Sequence, residues 1–335
     1  MKNFARKTLV CALTAAAGLT AASAFAQSNV SMYGRVDLGL RYESANNLPS
    51  TKMESGTYSA IGFKGQEDLG SGLKAFFQME HRIDASTGAN KSDESFFNEI
   101  SVIGLTGDFG TVRLGRSDNP FDLAADPDAF GGDYVGGRGN RRAGADEKWN
   151  NGLMYFTPEM YGFQAVIGTS FSEDNKFQNG ADQKNPYAVS VLYKNGNLTS
   201  ALGYMKRANE DKVVGGSVTY DFGVAKAFFT AAYNDGKGNG QVVDDGFNGD
   251  VDGKRTTYDL GVAVPVSAAG SVRAKYNFDR RQAVPAAQVS KTHDLGLGYW
   301  HNLSKRTQLY VTGNVEKIEG QKTTRAMDMG VVHNF

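Results

Sequence analysis

From Val30 onward the chain alternates between apolar and polar positions. Val30, Met32, Val36, Leu38, Leu40 and Tyr42 share one register with Gly34, while Ser31, Tyr33, Arg35, Asp37, Gly39 and Arg41 share the other. A period of two sustained over residues 30–42 is the mark of a strand with one apolar face. The pattern returns along the whole chain. Leu73, Ala75, Phe77 and Met79 alternate with Lys74, Phe76, Gln78 and Glu80, and Val272, Ala274, Tyr276 and Phe278 alternate with Arg273, Lys275, Asn277 and Asp279. The stretches around 163–168, 257–264 and 308–314 read the same way. About sixteen such segments begin near residues 30, 57, 72, 96, 109, 149, 162, 187, 197, 213, 224, 255, 271, 291, 306 and 325. Each is close to the ~10 residues of a tilted membrane strand.

The connections alternate as well. Gly70-Ser71, Gly107-Asp108, Tyr161-Gly162, Asn195-Gly196 and Asp221-Phe222-Gly223 are tight-turn sequences, because glycine and asparagine supply positive φ cheaply. The others, 43–56, 85–95, 118–148, 173–186, 235–254 and 281–290, are long and polar. Short turns at one end and long loops at the other are the topology of an outer-membrane barrel. A soluble sandwich would need large aliphatic side chains on its inner face. Here the second register carries Arg35, Asp37, Lys74, Glu80, Arg273, Lys275 and Asp279, which suits a wet interior. Closing the sheet also satisfies every backbone group in lipid. The reading is therefore all-β: a transmembrane antiparallel β-barrel of about sixteen strands, wide enough for an aqueous lumen.

The connection between Gly115 and Trp149 is the longest, and a structureless stretch of that length is usually functional or disordered. It holds Asp118, Asp122, Asp126, Asp128 and Asp133, then Arg138, Arg141 and Arg142, with Arg116 at its start. Glycines at 131, 132, 136, 137 and 139 keep its path compact. It is expected to fold into the lumen and narrow it.

Composition changes this picture little. Residues 1–26 read as a signal peptide: Lys2, Arg6 and Lys7, a short apolar run from Thr8 to Thr20, and the cleavage sequence Ala24-Phe25-Ala26. Residues 27–335 then form the barrel domain. Removing the leader leaves 33 basic and 36 acidic residues, a net charge of −3, which argues against a nucleic-acid partner. The one cysteine, Cys11, lies in the leader, so no disulfide is expected.

Several blocks carry a family likeness. Ser28–Asp37 resembles the opening strand of the general porins of Gram-negative bacteria, most closely the β-proteobacterial trimeric type. Ile61–Ala75 resembles that family's most specific block, Phe109–Arg116 the strand before its constriction loop, and Pro127–Asp133 the tip of that loop. His301–Thr307 and the terminal Val331–Phe335 complete the likeness, which spans 27–335. The resemblance implies a sixteen-stranded barrel, a homotrimer, contact with outer-membrane lipid and lipopolysaccharide, and a C-terminal Phe335 read by the barrel-assembly machinery. It also implies a pore with Arg35, Arg116 and Arg138 on a basic side and Asp122, Asp126, Asp128 and Asp133 on an acidic side. Two positions depart from the family: Ala60 and Glu99 stand where relatives often have arginine. Both make the wall less positive and tilt the expected selectivity weakly toward cations.

Other chemistry is sparse. His81, His293, His301 and His333 have no metal-ligand spacing, and no nucleophile-elbow or P-loop motif occurs. No cofactor and no metal are expected. Asp244, Asp245, Asp250 and Asp252 read as a solvated loop, with incomplete calcium-loop spacing. The reading is a passive diffusion channel for ions and small hydrophilic solutes. The alternatives are a substrate-specific channel, which would put aromatics on the lumen register, and an outer-membrane barrel enzyme, which would need a catalytic constellation at the rim.

Overall fold

The computed structural model describes residues 29–45, 48–91, 95–139, 142–145, 147–171, 184–236, 253–283 and 289–335. The expected leader, Arg141 and the aspartates at 244–252 lie outside these residues.

Seventeen strand segments follow one another: β1 (Asn29–Ala45), β2 (Leu48–Glu54), β3 (Ser59–Gly70), β4 (Leu73–Ile83), β5 (Ile100–Gly107), β6 (Gly110–Asp118), β7 (Lys148–Phe156), β8 (Phe163–Ser170) and β9 (Tyr187–Asn195), then β10 (Leu198–Lys206), β11 (Lys212–Asp221), β12 (Lys226–Asn234), β13 (Gly253–Pro265), β14 (Gly270–Ala283), β15 (Val289–Asn302), β16 (Thr307–Ile318) and β17 (Thr324–Asn334). From β3 on, each pairs antiparallel with the next, and β17 returns to β1 with Arg35 opposite Asn334 and Ser44 opposite Arg325. β2 and β3 together fill one strand position: β3 pairs with Asn29–Arg35 of β1, and β2 pairs with Gly39–Ala45. Between them residues 55–58 bulge out of the ladder. The result is a closed barrel of sixteen strand positions, which leaves no free edge.

One expectation is corrected. Residues 43–56 do not form a long loop; the alternation simply continues, and β1 and β2 run on as a hairpin to Ala45 and Leu48. At the opposite end the turns are as tight as their sequences require, with positive φ at Gly70, Tyr161, Gly162, Gly196 and Gly223.

The two registers face different solvents. Val30, Met32, Leu40, Ile103, Leu202, Leu260, Leu295 and Leu297 are exposed on the outward face. Asp37, Glu80, Thr257, Asp259, Lys275, Asn277, Asp294 and Asp328 are buried on the inward one. The inner face is not uniformly polar. Trp149, Met154, Ala188, Met205, Val213 and Ala232 form one apolar patch, and Trp300, Tyr310 and Val332 form another. Both patches exist because the segment between β6 and β7 packs on them.

Candidate functional site

That segment begins with a short helix, α1 (Pro120–Ala125). Asn119 caps it, its side chain accepting from the Asp122 N–H at 3.0 Å, and Pro120 occupies the first turn, where no N–H is needed. Phe121 and Ala125 enter the first apolar patch on β7–β12. Gly203 makes room: a Cβ there would lie 2.9 Å from the Ala124 methyl and 3.1 Å from the Phe121 ring.

Asp122 and Asp126 are four residues apart and so share a helix face. Arg142, from the returning limb of the loop, binds both: its Nε pairs with Asp122 and its Nη2 lies 2.7 Å from Asp126. Burial pushes the Asp122 carboxyl up to about 7 against the pull of Arg142, with Asp126, Asp118 and Glu147 adding to the rise. Burial would discharge Arg142, but Asp122 and Asp126 outweigh it and hold the guanidinium in its charged form.

Beyond α1 the loop hangs by its backbone from side chains on the barrel wall. Thr230 of β12 donates to the Pro127 carbonyl at 2.9 Å. Arg273 of β14 lies over the Trp300 ring and donates to the carbonyls of Ala129 (3.2 Å) and Phe130 (3.0 Å). Lys275 of β14 donates to the Gly137 carbonyl at 2.7 Å and pairs with Asp259 at 3.0 Å. The Val135 N–H donates to Asp328 of β17 (2.9 Å) and the Gly136 N–H to Thr312 of β16 (2.8 Å). The Asp133 N–H donates to Thr57, in the bulge between β2 and β3, at 3.3 Å. Here Gly296 of β15 is obligatory, since a Cβ would sit 1.8 Å from the Gly136 carbonyl oxygen. The strand-borne partners all belong to the inward register, so the segment packs against the inner face of β8–β12 and of β14–β17.

The expected site residues are divided by this arrangement. Asp126 and Asp133 are exposed, whereas Asp122 and Asp128 are buried. Asp128 turns back on its own loop, accepting from the N–H groups of Phe130 (2.6 Å) and Gly131 (2.7 Å). Arg35 is on the inner wall, over the Tyr58 ring at 4.9 Å. Arg138 pairs with Glu43 of β1 at 2.6 Å rather than with a loop aspartate.

Arg116 is a correction. It shares the face of exposed Leu114, sits opposite Ser101 and binds the Asn98 carbonyl and the Asn150 side chain, so it points away from the loop. Counting by two from Leu114 would have placed it outside.

Sequence reasoning missed Arg82. Its guanidinium lies 4.2 Å from the centroid of the Tyr58 ring, which Arg35 also approaches, pairs with Glu99 at 2.6 Å and feels the charge of Asp133. Its place beside Gln78 and Glu80 on the polar register was the available signal. Arg273 and Lys275 had been placed on the lumen register; the structure shows that they carry the loop. Of the histidines, His293 and His333 lie on the outward face and bond Tyr276 and Thr307. Among the described residues, no group of three or more His, Cys, Asp or Glu side chains could hold a metal ion.

Comparison with known proteins places these features in a family. The Gram-negative porin family matches residues 12–321. Outer membrane porin protein 32 of Delftia acidovorans is 35% identical, over 91% of this chain and 88% of that protein. An outer membrane porin protein of Bordetella pertussis is 29% identical, over 98% of this chain and 100% of that one. The solved structure of an anion-selective porin from Comamonas acidovorans superposes with a TM-score of 0.74 at 26% identity, covering 92% of this chain and 100% of that one.

Proposed function

Because this chain belongs to the Gram-negative porin family, and is therefore a passive diffusion channel of the outer membrane, we propose that its permeability is set where the 118–147 segment crosses the lumen. The observation that carries this reading is the suspension of the loop backbone from side chains of β12, β14, β16 and β17. A partition held at so many points around the ring leaves its opening against the wall of β1, β3 and β4. There Arg35 and Arg82 flank Tyr58, and the exposed Asp133, whose N–H is bonded to Thr57, supplies the loop's acidic side, while Asp126 is exposed beside Arg142 at the end of α1. A permeating solute is sieved by size, and its dipole aligns between the two sides. Among the described residues, Trp300 and Tyr310 of the inner face pack against Phe130 and Tyr134 of the loop, which favours a general pore over a sugar-specific one.

Loosening the suspension tests this. Arg273→Gln with Lys275→Met should raise single-channel conductance and admit larger sugars in liposome swelling. If neither changes, the loop does not set the passage. A saturable rate for one sugar would favour the substrate-specific reading.

The proposal extends to export through the leader 1–26, to a homotrimer in contact with lipopolysaccharide, and to recognition of the C-terminal strand by the barrel-assembly machinery. Supporting the last, Phe335 exchanges backbone hydrogen bonds with Gly34 at 3.0 and 3.1 Å and so completes the closure of β17 on β1.

A further inference from the structure

We propose that Asp37 and Tyr310 are positioning residues of the channel: they hold the 55–58 bulge so that Tyr58 keeps Arg35 and Arg82 at the opening. The inference deepens the reading that solutes pass beside β1, β3 and β4, and rests on it.

The need for such a device starts in the backbone. The β1–β3 ladder ends at Arg35 opposite Ala60, and the β1–β2 ladder resumes at Gly39 opposite Glu54. Three residues of β1, 36–38, therefore face five, 55–59, and the ladder does not close between them. Buried backbone groups left over in this way must find other partners. Ser59 supplies them: its hydroxyl accepts from the Asp37 N–H at 2.9 Å and donates to the Asp37 carbonyl at 3.0 Å. The Asp37 side chain is fully buried on the inward register. Its carboxylate accepts from the Thr57 N–H at 2.7 Å and from the Tyr310 hydroxyl at 2.9 Å. A buried carboxylate is tolerated only where donors replace water, so these bonds fix where the bulge sits.

Tyr310 joins the bulge to the loop. Gly56 admits the phenol, since a Cβ there would overlap its hydroxyl. The same ring meets Tyr134 of the loop edge-on, with centroids 4.8 Å apart, and next to Tyr134 the Asp133 N–H donates to Thr57. Arg41 fixes the bulge further by donating to the Gly56 carbonyl at 3.2 Å. Both sides of the opening are thus located from one point.

What the bulge carries is Tyr58. Arg35 and Arg82 both lie on its ring, at 4.9 and 4.2 Å from the centroid. The face of an aromatic ring attracts cations, so one ring holds two guanidinium groups at the same place on the wall. Without it each has another partner within reach, Asn334 for Arg35 (3.1 Å) and Glu99 for Arg82 (2.6 Å). Water entering in place of the ring would also screen both charges. Displacing Tyr58 should therefore widen the passage and weaken its hold on anions.

The substitutions that test this change no formal charge. Tyr310→Phe removes one donor to Asp37 and keeps the ring against Tyr134. Ser59→Ala removes both bonds to the Asp37 backbone. In planar bilayers each should raise single-channel conductance and move the reversal potential toward cations, and Tyr58→Ala should do so more strongly. Added to Tyr58→Ala, neither should have a further effect, because both act through that ring. Residues that only stabilise the barrel would lower the detergent melting temperature and leave the reversal potential in place. Should Tyr310→Phe fail to give heat-modifiable barrel, Ser59→Ala, which keeps every ring, decides. An unchanged reversal potential in Tyr58→Ala or in both other variants, or effects that add fully to that of Tyr58→Ala, overturns the proposal. Arg273→Gln with Lys275→Met is measured alongside. If it too changes nothing, the reading of the opening fails; if it alone raises conductance, only the role of Asp37 and Tyr310 does.

Discussion

Asp122 shows how far a residue's role depends on what lies opposite it. In sequence it is one of seven acids between Gly115 and Trp149, and the resemblance sets it against wall arginines. In the structure α1 puts it beside Asp126, and Arg142 of the same loop takes both. Its place in a helix could be read from Asn119-Pro120, but its burial depends on an apolar patch contributed by strands distant in sequence. The consequence is a titration. The group's ordinary value is 3.8 and burial lifts it to about 7. Between those values the folded loop holds a proton that the unfolded chain does not, so the contribution to stability is present below about 4 and is lost as pH rises through 7. Lowering the pH through 7 removes one negative charge from the loop and should move the reversal potential toward anions. Asp122→Asn should abolish that step; an unchanged step would assign it to another group.

At the scale of elements, the strands were legible and the loop's moorings were not. Period-two alternation places a strand boundary within a few residues, since one slip exchanges the faces. The same counting put Arg273 and Lys275 inside, yet nothing local reveals that they meet the carbonyls of Ala129, Phe130 and Gly137, 138 to 144 residues away. Met205, Trp300 and Tyr310 on the polar register were the trace of a docked segment. Two outcomes follow. Phe121→Ala should cost about 3–5 kcal/mol of local packing, because nothing else fills its site, and should appear as increased current noise and faster proteolysis of the loop. Removing Lys275 alone leaves Asp259 buried without its 3.0 Å partner, so Lys275→Ala should cost about 3–5 kcal/mol, whereas Lys275→Ala with Asp259→Ala should recover much of it, as read from the detergent melting temperature. Closure is as exacting. A side chain at Gly34 would lie 2.4 Å from the Phe335 ring and 2.6 Å from the Ala60 carbonyl oxygen, so Gly34→Val should reduce the yield of heat-modifiable barrel, as should deletion of Phe335.

For the whole molecule, the proposed selectivity is a balance of charges around one opening, on which Ala60 and Glu99, where the resemblance implies arginine, both bear. Ala60 is buried on the inner wall, directly opposite Arg35 on one side and Arg82 on the other. A cation there would have completed a ladder of three; instead Tyr58 fills the space between the two that remain. Glu99 is 2.6 Å from Arg82 and 3.0 Å from Lys148, and cancels part of the charge that is left. Arg138 is paired with Glu43 and Asp126 with Arg142, while Asp133 is exposed. Charges within about 8 Å of one another are barely screened at physiological salt, so each change at this opening registers in the field that an ion crosses. If this is the opening, the channel should prefer cations weakly. Neutralising Asp126 and Asp133 together should move the reversal potential toward anions. Arg35→Gln with Arg82→Gln should move it toward cations and raise conductance. Ala60→Arg is the most direct test, because it restores one charge between two existing ones without touching the loop. It should shift the reversal potential toward anions and lower conductance, and the shift should shrink as salt is raised. If Ala60→Arg leaves the reversal potential unchanged at low salt, the opening is not beside β1, β3 and β4, and the passage runs along another part of the wall.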